Sequence, residues 1–149
     1  MTTIRQSDLQ LQACQLWAEA HAREAQGLLL EAEALYTVSA QLGYTLAMNS
    51  LAILIEDVMS PPRPLEAEYW LKRAVGAGDD AAAWNLAMRH RMGNRRRWYI
   101  HWLKIAEQMG HEEASEVLPL ATGRDDIWWA IEGVNPPPFV KGPRLAEAW

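Results

Sequence analysis

The 149-residue sequence has one cysteine, one phenylalanine and no long apolar run, and each shortage removes a class of protein. A lone Cys14 cannot form an intramolecular disulfide or a thiolate zinc cluster, which leads us to expect a reducing compartment and a small core role for Cys14. No stretch approaches the roughly 18 uninterrupted apolar residues of a membrane-spanning helix. The opening MTTIRQSDLQ has neither the basic start nor the apolar run of a secretory leader. A cytoplasmic protein with no membrane association is therefore expected.

Catalytic signatures are missing as well. The chain has no G-x-S-x-G elbow, no P-loop and no G-x-G-x-x-G fingerprint. Its four histidines, at 21, 90, 101 and 111, form no HExxH run, so no metal site is expected. Four acidic pairs occur: Glu56 with Asp57, Asp79 with Asp80, Glu112 with Glu113, and Asp125 with Asp126. Neighbours on a helix diverge by about 100° and do not share a proton, so the pairs read as solvated helix ends and faces. The chain is expected to be non-catalytic and to carry no cofactor.

Half of the residues are apolar and 22% are charged, the balance of a folded globular chain. Alanine and leucine dominate the apolar set, which favours helix over sheet. The organisation emerges from an internal repeat anchored on Gly43, Gly78 and Gly110. Four residues after each glycine stands Ala47, Ala82 or Ala114, and eight after it Leu51, Leu86 or Leu118. Four before it stands Ser39, Ala74 or Ala106. Eight and seven before it stand the large pairs Leu35 and Tyr36, Trp70 and Leu71, Trp102 and Leu103. A glycine can take positive φ and close one helix, and so short a link makes the next helix return antiparallel. The small residue and the large pair share one helical stripe, where small side chains permit close approach.

This pattern predicts seven helices, near residues 8–26, 30–42, 45–57, 65–77, 80–92, 97–109 and 112–118. Ser7 and Asp8 are placed to cap the first, and Asp79 and Asp80 to put negative charge at the start of the fifth. Prolines 61, 62 and 64 interrupt one connection, and Pro119 with Gly123 ends the last unit.

The second block, EAEYWLKRAVGAGDDAAAWNLAMRH, and the third, WYIHWLKIAEQMGHEEASEVL, resemble the Sel1-like repeats, relatives of the tetratricopeptide (TPR) repeats. AEALYTVSAQLGYTLAMNSLA is a looser copy. The resemblance spans residues 9–120 and implies an all-α fold of stacked antiparallel helical hairpins, an α-solenoid. The domain reading is a repeat domain over 1–120, followed by a C-terminal cap and Pro-rich tail over 121–149. The family usually joins the two helices of a repeat through a glycine-rich loop ending in an acidic residue, whereas these connections read MSPPRP and MGNRRR.

Charge is unevenly distributed. Residues 89–104 carry six basic side chains and no acidic one, within a chain of net charge −5. Arg95, Arg96, Arg97 and Trp98 could contact phosphates and bases, could serve as hot spots for an acidic protein, or could simply neutralise neighbouring acidic helices. The acidic remainder of the chain argues against nucleic acid. Trp70 and Trp102 hold equivalent repeat positions and read as core. Trp84 stands six after Gly78, where the other units have Asn49 and Glu116, so its position faces solvent or a partner. Trp84, Met88 and Arg91 follow one another by four and then three on a helix that, by the resemblance, lines the concave partner-binding surface. In the tail, Asp125 to Glu132 reads as a short helix covering the last hairpin, and NPPPFVKGP as an extended polyproline segment.

The resemblance implies an adaptor or scaffold that binds another protein. Small bacterial members also serve as immunity proteins, and an acidic domain suits a basic toxin as partner. The candidate partner-binding residues are Trp84, Met88, Arg91, Arg95, Arg96, Arg97 and Trp98.

Overall fold

The computed structural model describes residues 5–123. Among these the chain is all-α: α1 (Gln6–Ala25), α2 (Leu29–Gln41), α3 (Thr45–Ile53), α4 (Pro64–Gly76), α5 (Asp80–Met92), α6 (Arg96–Gln108) and α7 (Glu112–Gly123). The described residues divide into two compact units, split between Ala77 and Gly78. Within the first, α1 packs on α2, α2 on α3 and α3 on α4; within the second, α5 packs on α6 and α6 on α7. Each unit is thus a run of helical hairpins, as the repeat predicts.

The register of the repeat is the register of the core. Ala47, Ala82 and Ala114 are completely buried, as are Ser39, Ala74 and Ala106 before each glycine. Leu51 and Leu86 are likewise enclosed, and a buried leucine contributes about 1.5–3 kcal/mol by transfer from water. The third copy is looser, since Leu118 is only half-buried. Ser39 holds an alanine position by donating from Oγ to the Ala13 carbonyl at 2.6 Å, which satisfies its hydroxyl at the α1–α2 contact.

Gly43, Gly78 and Gly110 have φ of +95°, +95° and +91°. Behind Gly43 the Tyr44 amide reaches back to the Ser39 carbonyl at 3.3 Å, and behind Gly110 the His111 amide reaches Ala106 at 2.9 Å. These six-to-one bonds satisfy carbonyls that the helix end would otherwise leave open. Gly27 (φ +79°) and Asn94 (φ +60°) close α1 and α5 in the same way, so the left-handed stop recurs at helix ends that the three-glycine repeat did not mark.

The structure differs from the sequence expectation in four places. First, α1 begins at Gln6 on the Arg5 backbone with no side-chain cap; Ser7 and Asp8 lie inside its first turn, where Asp8 acts only through its charge. Asp79 does cap α5, accepting from the Ala81 amide at 3.0 Å. Second, α3 stops at Ile53 and continues as a π-helical turn over Leu54–Val58. Leu54 and Ile55, three and four residues after Leu51, are both fully buried on its face. Pro64 then starts α4 at a position whose N–H has no helical partner, and Arg63 before it ties α4 to Glu33 of α2. Third, Pro119 does not end α7, which runs through it to Gly123. Val117 and Ala121 are buried on either side of the proline, and this burial outweighs the loss of one helical hydrogen bond. The expected boundary at residue 120 therefore falls inside a helix, and the expected tail helix and polyproline segment lie outside the described residues. Fourth, Cys14 is exposed, because the buried stripe of α1 runs through Ala13 and Ala20.

Candidate functional site

The second unit presents an open depression of about 530 Å³ between α5 and α7, lined by Trp84, Met88, Glu113, Glu116 and Val117. Its construction follows from the helix periodicity. Trp84 and Met88 are four apart on α5 and so stand above one another, while Ala82, Ala83, Leu86 and Ala87 are buried. On α7, Glu113, Glu116 and Val117 repeat the three-and-four spacing, with Ala114 and Val117 turned inward. The result is an apolar floor of Trp84, Met88 and Val117 beside two carboxylates.

The indole is held in place. The His111 ring stacks on Trp84 with centroids 5.0 Å apart and an interplanar angle of 28°. His111 Nδ1–H donates to Asp80 Oδ2 at 2.8 Å, and its Nε2 stands 3.7 Å from Glu113 Oε2. Asp80 at the start of α5 is thereby tied to the turn that opens α7, and the aromatic surface is set before any ligand arrives.

The seven residues singled out in the sequence separate into three groups. Trp84 and Met88 line the depression together. Arg91 does not: it is only 2% exposed and is the bulkiest of the fully enclosed side chains. It lies on the stripe of Trp84, but that stripe is covered in the last turn of α5, where His90 is buried too.

The arginines of the basic segment are largely engaged by their own chain. Arg95 Nε donates to His90 Nδ1 at 2.8 Å, and its guanidinium lies over Gly93, where a Cβ would meet it at 2.6 Å. Arg96 Nη2 donates to the Ala121 carbonyl at 3.1 Å, serving the C-terminal end of α7. Arg97 and Trp98 are exposed at the start of α6. Trp98 stacks near His90 at 6.1 Å and meets His101 edge-on at 5.2 Å. Of the basic segment, Arg91 is enclosed, Arg95 and Arg96 are hydrogen-bonded within the chain, and Arg97 stays exposed.

Two features escaped the sequence reading. Glu116 reads at the register of Trp84, six after its glycine, but only the packing of α5 and α7 on α6 brings the two positions to one depression. Trp17 lies ten residues before the left-handed Gly27, as Trp84 lies ten before the left-handed Asn94. Trp17 also stacks on a histidine, His21, at 5.6 Å and 18°, and its Nε1–H donates to Ser50 Oγ at 3.0 Å. The match was hidden because asparagine replaces glycine at 94.

Among the described residues no helix is long and apolar enough to cross a membrane, and no three His, Cys, Asp or Glu side chains converge as a metal set. No family model, curated protein or solved structure matches the chain.

Proposed function

We propose that this chain is a non-catalytic protein-binding module of the Sel1-like, TPR-like kind, and that the depression between α5 and α7 receives its partner. The observation that carries the reading is the pairing of Trp84, Met88 and Val117 with Glu113 and Glu116 on an open surface. Tryptophan and methionine are enriched at protein interfaces and tryptophan at their energetic centres. The acidic chain, of net charge −5, favours a basic partner. An adaptor that joins proteins and an immunity protein that occupies a basic toxin are both served by such a surface.

The test is capture from lysate on immobilised protein, run in parallel with a Trp84→Ala, Met88→Ala variant whose helicity is checked by circular dichroism. A stoichiometric protein held by the parent and lost by the folded variant is the expected result. Equal capture by both would remove the depression from the interface. Recovery of nucleic acid in place of protein would shift the function to Arg97 and Trp98.

A further inference from the structure

We infer that the depression between α5 and α7 is a receptor for an arginine side chain of the partner, with the guanidinium against the Trp84 indole and its N–H groups on Glu113 and Glu116. The inference rests on the protein-binding reading above and names the chemistry that the site selects.

The described lining contains two carboxylates, one indole, one thioether and one valine, with no basic side chain. An apolar ligand would fit the floor but would bring Glu113 and Glu116 under an uncharged cover, at the cost of their hydration. A carboxylate or phosphate would meet two like charges. A cation on an apolar stem matches both halves, because the stem covers Met88 and Val117 while the charge reaches the glutamates. Between the two cationic side chains, the planar guanidinium lies flat on an indole face and can fork to a carboxylate with two parallel N–H bonds, whereas an ammonium meets the ring only as a point charge and cannot fork.

Preorganisation supports the same assignment. Trp84 is braced by His111, and His111 by Asp80, so an incoming cation finds the ring already oriented. Glu113 is well exposed, and its 3.7 Å separation from His111 Nε2 is too long for a hydrogen bond. Its carboxylate can therefore turn to a ligand. About 530 Å³ accommodates one long side chain and part of the flanking backbone.

The experiment uses the full chain, labelled with 15N, and follows the Trp84 indole N–H and the amides of Glu113, Glu116 and Val117. The probes are the capped tripeptide Gly-Arg-Gly, its isosteric and uncharged citrulline analogue, and Gly-Lys-Gly. Saturable shifts are expected with the arginine peptide, at an affinity at least about threefold above lysine, and none with citrulline. The Glu113→Gln, Glu116→Gln variant should bind about fivefold more weakly, the scale of two exposed charge contacts. Trp84→Leu, read on the α7 amides, should weaken binding by a similar factor. A control variant with the same change in net charge, Asp57→Asn with Glu107→Gln, should bind as the parent does.

Equal shifts with citrulline, equal affinity for lysine, or an equal loss in the control would overturn the assignment, the last because it would reduce the effect to net charge. If lysate capture depends on Trp84 and Met88 yet the arginine peptide moves none of these signals, the arginine assignment fails and the protein-binding reading stands. If neither occurs, both fall.

Discussion

Gly43 and Gly76 lie in the same unit and invite the same substitution with opposite expected signs. Gly43 closes α2 at φ +95°, and a Cβ built there meets nothing within 4 Å. Gly43→Ala therefore costs no clash, and its whole penalty is the backbone strain of an L-residue in the left-handed region, about 1–2 kcal/mol. Gly76 is the last residue of α4, is exposed, and likewise has open space where a Cβ would stand. Its φ lies outside the left-handed region, so alanine is compatible there and reduces the entropy of the unfolded chain. Gly76→Ala should stabilise by about 0.5 kcal/mol. The two variants should differ by roughly 2 kcal/mol, which for a chain of this length is a separation of about 6–8 °C in Tm. Urea unfolding followed at 222 nm gives the free energies directly, and thermal melts give the ordering. Loss of stability in both variants would mean that added side-chain bulk decides the outcome. Neutrality at Gly43 would mean that the left-handed stop is not enforced. Either result would refute the account of how the helices end.

Other positions test other parts of the structure. Leu86 is fully enclosed, and Leu86→Ala should cost about 3 kcal/mol by urea denaturation. Pro119 lies inside α7 and is exposed. Pro119→Ala restores a helical hydrogen bond and should raise stability by about 1–3 kcal/mol, with a gain in ellipticity at 222 nm. The Tyr36 phenol is held well above its usual range, first by burial and then by its hydrogen bond to Glu24 at 2.8 Å. A phenol whose folded pKa is raised contributes stability that is complete below pH 10 and is lost as pH climbs toward the folded value. Alkaline destabilisation above pH 10 should therefore be shallower in Tyr36→Phe, by about 1.4 kcal/mol per pH unit, as read from urea midpoints between pH 10 and 12. Tyr44 is raised in the same direction by burial and by its contact with Cys14, and supplies part of the residual slope.

Fold class followed from the sequence alone because its determinants are local and periodic. A glycine that must be left-handed, an alanine four residues on and a large pair seven and eight before it define where a helix stops and which face it buries, without knowledge of any distant residue. The seven helices accordingly lie within a few residues of the periodic reading. Departures arose where tertiary burial overrode a local signal. Pro119 should break a helix, yet Val117 and Ala121 are buried around it and α7 continues. Cys14 has the character of a core residue, but the one-residue phase of α1 gives the core to Ala13.

The candidate site divides along the same line. Trp84 and Met88 were legible because four-residue spacing on one helix is a property of the sequence. Arg91 shares that stripe, and no periodicity could show that the last turn of α5 is covered. Arg95 and Arg96 read as a charge run, while their hydrogen bonds to His90 and the Ala121 carbonyl depend on where two other segments come to rest. Glu113, Glu116 and His111, some thirty residues along the chain, join Trp84 only because α5 and α7 both pack on α6. Most helix ends and the alanine-and-leucine stripes are set by neighbours along the chain and were determined by the sequence; whether α7 passes Pro119, where a stripe is covered and which charged side chains face outward together are set by contacts between helices, and only the tertiary structure decided them.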